Sequence, residues 1–128
     1  MSESSRRKLV AGNWKMNTTR ASAVELARGV AQVSAGRGDV EVLVCPPFPY
    51  LCAAKSALEG SAVELGAQDV YFEPPGAYTG EVAVSMLIDV GCRYVIIGHS
   101  ERRHVLGETD TLLNLKVSAA IAGGLEVI

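Results

Sequence analysis

One histidine, His99, lies where a buried strand is expected to end and a helix to begin. The preceding run, Val95-Ile96-Ile97, is β-branched and apolar, as in a strand buried on both faces, and Gly98 ends it. Ser100 is suited to cap the helix that follows, and Glu101 suits its first turn. Because a helix N-terminus disfavours imidazolium, we expect a neutral His99 that can donate a hydrogen bond to a developing oxyanion.

Two further polar residues, Asn13 and Lys15, follow the first apolar segment of the chain. Side chains two positions apart on a strand share a face, so Asn13 and Lys15 share one face and Ile97 and His99 share another. If these faces point the same way, an amide, an amine and an imidazole converge. Each residue by itself also has a non-functional interpretation: His99 and Lys15 could be solvated side chains, and Asn13 could be a turn residue. We favour an electrostatic role for Lys15 over a Schiff-base amine, because nothing near it in sequence would desolvate it.

Glu101 could in principle act as a general base. Two arginines, Arg102 and Arg103, follow it directly, and adjacent positive charge should lower the pKa of its carboxyl group. A carboxylate with a lowered pKa is a poor match to proton abstraction near neutral pH. The sequence therefore favours ion pairing or helix capping as the role of Glu101.

Several other chemistries lack their sequence patterns. The chain has no G-x-G-x-x-G and no phosphate-loop lysine motif, so neither a dinucleotide nor a nucleoside triphosphate cofactor is indicated. His99 and His104 are five residues apart and do not form a zinc-protease pattern, so we expect no metal. Ser85 and Ser100 lack a nucleophile elbow, which argues against a serine hydrolase.

The elements that must position these residues alternate between strand and helix. Apolar strand segments begin near residues 9, 40, 63, 94 and 125, and helical patterns cover about 20–34, 50–58, 82–90 and 110–122. A loop of about ten residues, 71–80, follows the third strand. This alternation predicts an α/β fold with a parallel sheet, whose functional residues collect beyond the strand C-termini. We divide the chain into an N-terminal extension, 1–8, and one domain, 9–128.

The composition is that of an ordinary globular domain, with 48% hydrophobic residues, 20% charged residues and a net charge of −2. This balance gives no broad basic surface for nucleic acid. The sequence contains neither an apolar run long enough to span a membrane nor the apolar core of a secretory signal. The three cysteines, Cys45, Cys52 and Cys92, have no metal spacing and suggest reduced, partly buried thiols in the cytoplasm.

Four segments together resemble the triosephosphate isomerase family. They are Asn13-Trp14-Lys15-Met16-Asn17, Gly66-Ala67-Gln68-Asp69-Val70, Gly76-Ala77-Tyr78-Thr79-Gly80-Glu81 and Gly98-His99-Ser100-Glu101-Arg102-Arg103. They occur in the family's order and span essentially the whole chain from residue 9. The resemblance implies the N-terminal half of a (β/α)8 barrel, with four βα units and the start of strand five.

The resemblance also implies a reaction, the interconversion of dihydroxyacetone phosphate and glyceraldehyde 3-phosphate in glycolysis and gluconeogenesis. The family needs no cofactor: a glutamate removes a proton next to the carbonyl, and an enediolate forms. His99 would be the electrophile that polarises the carbonyl, Lys15 would supply positive charge near the substrate oxygens and phosphate, and Asn13 would give a hydrogen bond. Ser100 and Glu101 would orient these groups.

The resemblance implies two kinds of partner. The family's long loop after strand three reaches into a neighbouring subunit, so Thr79 would touch the partner's active site in a homodimer. The family's barrel has eight βα units in about 250 residues. These 128 residues hold four, without the catalytic glutamate, the closing loop or the later phosphate-binding loops. We therefore expect a C-terminal half to be needed for activity, whether as a second polypeptide, an omitted segment or the result of a deletion.

The sequence also allows two other hypotheses. The first is a non-catalytic half-barrel that self-associates through its open sheet edges, in which Asn13, Lys15 and His99 do not converge. The second and weaker one is a phosphate-binding α/β enzyme of another type, which the lack of a phosphate-loop glycine motif disfavours.

Overall fold

A computed structural model describes residues 5–128; residues 1–4, which belong to the expected N-terminal extension, lie outside the described residues. The strands are β1 (Lys8–Asn13), β2 (Val40–Cys45), β3 (Glu64–Ala67), β4 (Tyr94–Val95) and β5 (Glu126–Val127). The helices are α1 (Arg20–Ser34), α2 (Leu51–Ala57), α3 (Val84–Asp89), α4 (Ser100–His104) and α5 (Asp110–Ala122), and a 3₁₀ turn, Phe48–Tyr50, precedes α2.

All five described strands form one sheet in the order β1-β2-β3-β4-β5, and every neighbouring pair is parallel. Each strand therefore lies beside the next strand in the chain, which is the arrangement of successive βα units in a barrel. The predicted α/β class and the half-barrel architecture are confirmed. β1 begins at Lys8, one residue before the expected start of the domain.

The two long helices have the predicted bounds because both begin with a side-chain cap. Thr19 caps α1 in a capping box with Ser22, and the Thr109 hydroxyl accepts a hydrogen bond from the Leu112 backbone N–H at the start of α5. The middle helices and the last two strands are shorter than predicted. β4 nevertheless continues to pair beyond its bounds, since the backbone N–H of Ile96 donates to Ala67 and that of Ile97 donates to Ile128.

The sheet has two apolar faces. The larger core lies between one face and the helices, and it includes Val95 of β4 and Ala54 of α2, with Ile97 packed against it. The opposite face carries a second buried cluster, formed by Leu43, Cys45, Tyr94 and Ile96. Alternation along β4 thus sends Tyr94 and Ile96 to one side and Val95 and Ile97 to the other.

The three cysteines are free thiols. Cys45 and Cys92 are buried, as expected, but Cys52 is exposed on α2, so the expectation that all three are partly buried was wrong for Cys52. Burial raises the pKa of the Cys45 and Cys92 thiols to about 12. No helix within residues 5–128 combines the length and the apolar character that crossing a membrane requires.

Gly66 lets β3 approach the second cluster closely. A Cβ atom at this position would lie 2.7 Å from the Cys45 sulfur and 3.1 Å from a Leu43 methyl carbon. We expect Gly66→Ala to lower the free energy of unfolding by about 1–3 kcal/mol through overpacking. Gly29→Ala is the matched control: its Cβ would meet nothing within 4 Å on α1, and it should stabilise by about 0.5–1 kcal/mol. Chemical denaturation measures both, and equal effects would contradict the packing argument.

Candidate functional site

Lys15, Glu101 and His99 form a contiguous cluster at the C-terminal ends of β1 and β4. The Lys15 Nζ lies 2.7 Å from Glu101 Oε1, across 86 residues of sequence. The backbone N–H of Glu101 donates to His99 Nδ1 at 3.1 Å. Asn13 joins the cluster at the other end, where its Oδ1 accepts a hydrogen bond of 2.9 Å from the Lys15 backbone N–H. The Asn13 amide and the His99 imidazole thus accept from the backbone N–H groups of Lys15 and Glu101, whose side chains form the ion pair.

These residues converge for a different reason from strand alternation. Asn13 pairs with Cys45 and so lies on the face of the second cluster, whereas Val95 and Ile97 face the helices. The two faces therefore point to opposite sides of the sheet, and the condition under which strand parity would align these residues is not met. Two left-handed residues end the alternation: Lys15 has φ +57° and Gly98 has φ +74°. The side chains of Lys15 and His99 are set by these turns.

His99 itself caps α4, and the prediction that Ser100 is the N-cap was wrong. Ser100 is the first helical residue, and the His99 imidazole accepts the hydrogen bond that a capping hydroxyl would accept. A ring nitrogen that accepts a hydrogen bond is unprotonated, so the neutral ring carries its proton on Nε2. The cap thereby leaves Nε2–H as the donor, on a side chain that is 29% exposed.

The pKa of Glu101 is lowered, as the sequence predicted, but the expected cause was wrong. The main cause is the hydrogen bond from Lys15; burial opposes it, and the positive charge of Lys15 adds to it. The two neighbouring arginines turn elsewhere: Arg102 pairs with Asp69 and Glu108, and Arg103 pairs with Asp110. Ion pairing is therefore the observed role of the Glu101 carboxylate.

Gln68 contributes to the site in a way that the sequence did not specify. Its Nε2 donates to the backbone carbonyls of Lys15 and Cys45, each at 2.8 Å, and so ties the ends of β1 and β2 to the residue after β3. The sequence signals for Gln68 were its position at a strand end and its place in the Gly66-Ala67-Gln68-Asp69-Val70 segment, and neither specified its partners. Its partners are backbone atoms, which carry no sequence pattern of their own.

The side chains of Ser100 and Thr79 make no hydrogen bond to this cluster within residues 5–128. The Ser100 side chain is exposed at the start of α4, and its hydroxyl makes no hydrogen bond found within residues 5–128. Thr79 is exposed on the long loop, which a hydrogen bond of 2.8 Å from the Tyr71 backbone N–H to the Val82 carbonyl closes. The rings of Tyr71 and Tyr78 meet edge to face at 4.9 Å and support the loop from within.

The parallel βα units form half of a (β/α)8 barrel, and polar side chains lie at the strand C-termini, where enzymes with this fold have their active sites. A family model for triosephosphate isomerase matches residues 8–128. The chain belongs to the triosephosphate isomerase family.

Curated relatives agree with this family. The chain is 53% identical over 121 residues to the triosephosphate isomerase of Rhodopirellula baltica, covering 94% of this chain and 48% of that protein. It is 50% identical over 123 residues to the triosephosphate isomerases of Herpetosiphon aurantiacus and Carboxydothermus hydrogenoformans, covering 96% of this chain and 49% of each protein. The chain thus spans about half the length of the curated relatives it matches.

The ion pair predicts how Glu101 titrates. Because Lys15 lowers the pKa of Glu101, Lys15→Met should raise that pKa toward its ordinary value. A lowered pKa in the folded state means that the pair stabilises above the ordinary pKa and that this contribution is lost as the pH falls through the lowered pKa. Carboxyl ¹³C NMR titration measures the shift. Lys8→Met, in β1, should leave the Glu101 titration unchanged, and an equal shift in both variants would contradict the assignment.

Proposed function

We propose that the Asn13–Lys15–Glu101–His99 cluster is the electrophilic part of a triosephosphate isomerase active site. The observation that carries the proposal is the chain of contacts from Lys15 through Glu101 to His99, at the strand ends where barrel enzymes bind substrate. Membership of the family gives this geometry a reaction, the interconversion of dihydroxyacetone phosphate and glyceraldehyde 3-phosphate.

In the proposed mechanism, His99 donates its Nε2–H to the substrate carbonyl oxygen as an adjacent carbon loses its proton. Negative charge then develops on that oxygen, and a donor placed in advance stabilises the enediolate more than the ground state. The α4 cap supports this assignment, because it occupies Nδ1 and leaves Nε2 as the donor. Ser100 and Glu101 follow His99 directly, and Glu101 holds the imidazole through its backbone N–H.

Lys15 has an electrostatic role in this mechanism. Its side chain is 53% exposed and its Nζ is hydrogen-bonded to the Glu101 carboxylate, so Lys15 lacks the apolar surroundings that activate a Schiff-base lysine. The charge would attract the substrate phosphate and the developing enediolate, and Asn13 would add a hydrogen bond at the same C-terminal edge of the sheet. The proposal assigns no cofactor to these steps.

The proposal places the glutamate base, the closing loop and the remaining phosphate contacts in a C-terminal half-barrel outside these 128 residues. Each function would be supplied when that half completes the sheet beyond β1 and β5. A missing general base alone should cost about 10²–10⁴ in rate, so these residues alone should be nearly inactive. The three free thiols suit a reducing compartment, and we place the enzyme in the cytoplasm.

A self-associating, non-catalytic half-barrel is the second candidate. It is favoured by the outer strand β1, where Leu9 and Val10 are 44% and 56% exposed. The contacts among Lys15, Glu101 and His99 argue against this candidate, because self-association through strand edges does not require them.

A chimaera tests the proposal directly. The part of the Rhodopirellula baltica relative that this chain does not match would be joined after Ile128, and isomerisation of glyceraldehyde 3-phosphate would be assayed with a coupled dehydrogenase. We expect activity from the chimaera, and a loss of about 10²–10³ in kcat for His99→Asn because a preorganised donor is removed. His104→Asn, at the other end of α4, is the matched control and should retain activity.

A folded chimaera without isomerase activity would refute the proposal. Size measurement of the 128-residue chain by itself would then weigh the second candidate, since a self-associating half-barrel forms oligomers whose strand edges are protected from hydrogen exchange.

We also propose that the complete enzyme is a homodimer to which the long loop contributes Thr79. The support is the loop's exposure together with its closure at Tyr71 and Val82, which makes it a compact projection. Thr79→Arg should weaken dimerisation of the chimaera by at least tenfold, measured by sedimentation equilibrium, because a charge would be buried at the contact. Ser61→Arg, which lies outside this loop, is the control, and an unchanged dimer in Thr79→Arg would exclude this contact.

A further inference from the structure

Four charged side chains close a ring behind α4. Asp69 Oδ1 lies 2.8 Å from Lys116 Nζ, and Asp69 Oδ2 lies 3.0 Å from Arg102. Glu108 Oε1 lies 3.0 Å from the Arg102 Nε, and Glu108 Oε2 contacts the same lysine ammonium. Each carboxylate therefore bridges both cations. The ring links the end of β3, helix α4, the loop before α5 and helix α5.

The ring is largely buried and electrically neutral. The Lys116 and Glu108 side chains are 4% and 6% exposed, Asp69 is 10% exposed and Arg102 is 30% exposed. Removing two ion pairs from water carries a large desolvation cost, and apolar side chains of similar volume commonly give equal or greater stability. Stability alone is therefore a weak account of this ring, whereas its directional hydrogen bonds fix positions in a way that apolar packing does not.

Helix α4 depends on such contacts because it has no buried residue. Its five residues include Glu101, which pairs with Lys15, and Arg103, which pairs with Asp110 and donates to the Gly98 carbonyl. Arg102 lies between them and makes the two contacts to the buried ring. The Glu108 backbone N–H also donates to the Arg102 carbonyl at 3.0 Å, which fixes the same helical turn from outside.

We propose that this ring positions α4, with Arg102 as the positioning residue, and so holds Glu101 between Lys15 and His99. The planar guanidinium presents donors to both carboxylates, and this fork fixes the rotation of α4 about its axis. Glu101 precedes Arg102 directly, so a rotation of the helix displaces both the Lys15 ion pair and the N–H that meets His99 Nδ1. The catalytic consequence rests on the proposed function; the geometric one does not.

The geometric test uses the 128-residue chain. Arg102→Lys keeps the charge but loses the fork, and we expect the His99 Nδ1 hydrogen bond to weaken. In ¹⁵N NMR of the imidazole, the Nε2–H tautomer that dominates the parent chain should give way to a mixture of tautomers. Arg37→Lys is the matched control, because Arg37 also makes a bidentate pair, with Asp39, both bonds being 2.9 Å. It should leave the His99 signals unchanged.

A second control separates positioning from stability. Val63→Ala truncates a buried core side chain and should lower the denaturation midpoint without touching α4. We expect it to leave the His99 tautomer unchanged. If Arg102→Lys does not fold, Asp69→Asn decides instead, because it weakens only one side of the ring and leaves Glu108 paired with both cations.

The catalytic test uses the chimaera. Displacement of the electrophile should lower kcat of Arg102→Lys by about 10- to 100-fold, with KM changed less than threefold. Arg37→Lys and Val63→Ala should retain the parental kcat. An inactive parent chimaera would refute the proposed function and leave the NMR result to decide the geometry. An Arg102→Lys or Asp69→Asn chain that loses stability yet keeps the His99 tautomer would overturn the positioning role.

Discussion

The ion pair between Lys15 and Glu101 joins two strand ends that are far apart in sequence, and the rest of the site depends on it. The pair requires β1 and β4 to present their C-terminal ends at the same edge, which parallel pairing through β2 and β3 achieves. It also requires the backbone to turn directly after β1 and after β4, and the left-handed residues Lys15 and Gly98 make these turns. The contact between Lys15 and Glu101 thus depends on the parallel sheet, on the two turns and on the opposite charges of the side chains.

Apolar contacts and ion pairs stabilise different parts of the structure. The sheet and the helices α1, α2, α3 and α5 contribute buried residues to the core and are held by apolar packing. Helix α4 has no buried residue and is held by ion pairs instead. A helix that carries a capping histidine benefits from directional contacts, since a displacement of about 1 Å is enough to impair a positioned donor.

Much of the architecture follows from local sequence. The caps at Thr19 and Thr109 and the glycines after the helices determine α1 and α5 to the residue. The ends of short strands were less predictable, because a strand is defined by the partner it pairs with, and the partners of β4 are the short strands β3 and β5. Strand parity does not predict the site, because Asn13 and Ile97 lie on opposite faces of the sheet and the side chains of Lys15 and His99 lie at left-handed turns where the alternation ends.

The sequence by itself determined the family, the order of the parallel units and the residue types at the strand ends. His99, Lys15 and Asn13 could be selected because polar residues after buried strands lie where barrel sites form. Only the tertiary structure decided which groups meet: that His99 caps its own helix, that Lys15 rather than an arginine lowers the pKa of Glu101, and that Gln68 binds two backbone carbonyls. These contacts depend on side-chain direction across distant segments, and direction is fixed only when turns and packing fix the backbone.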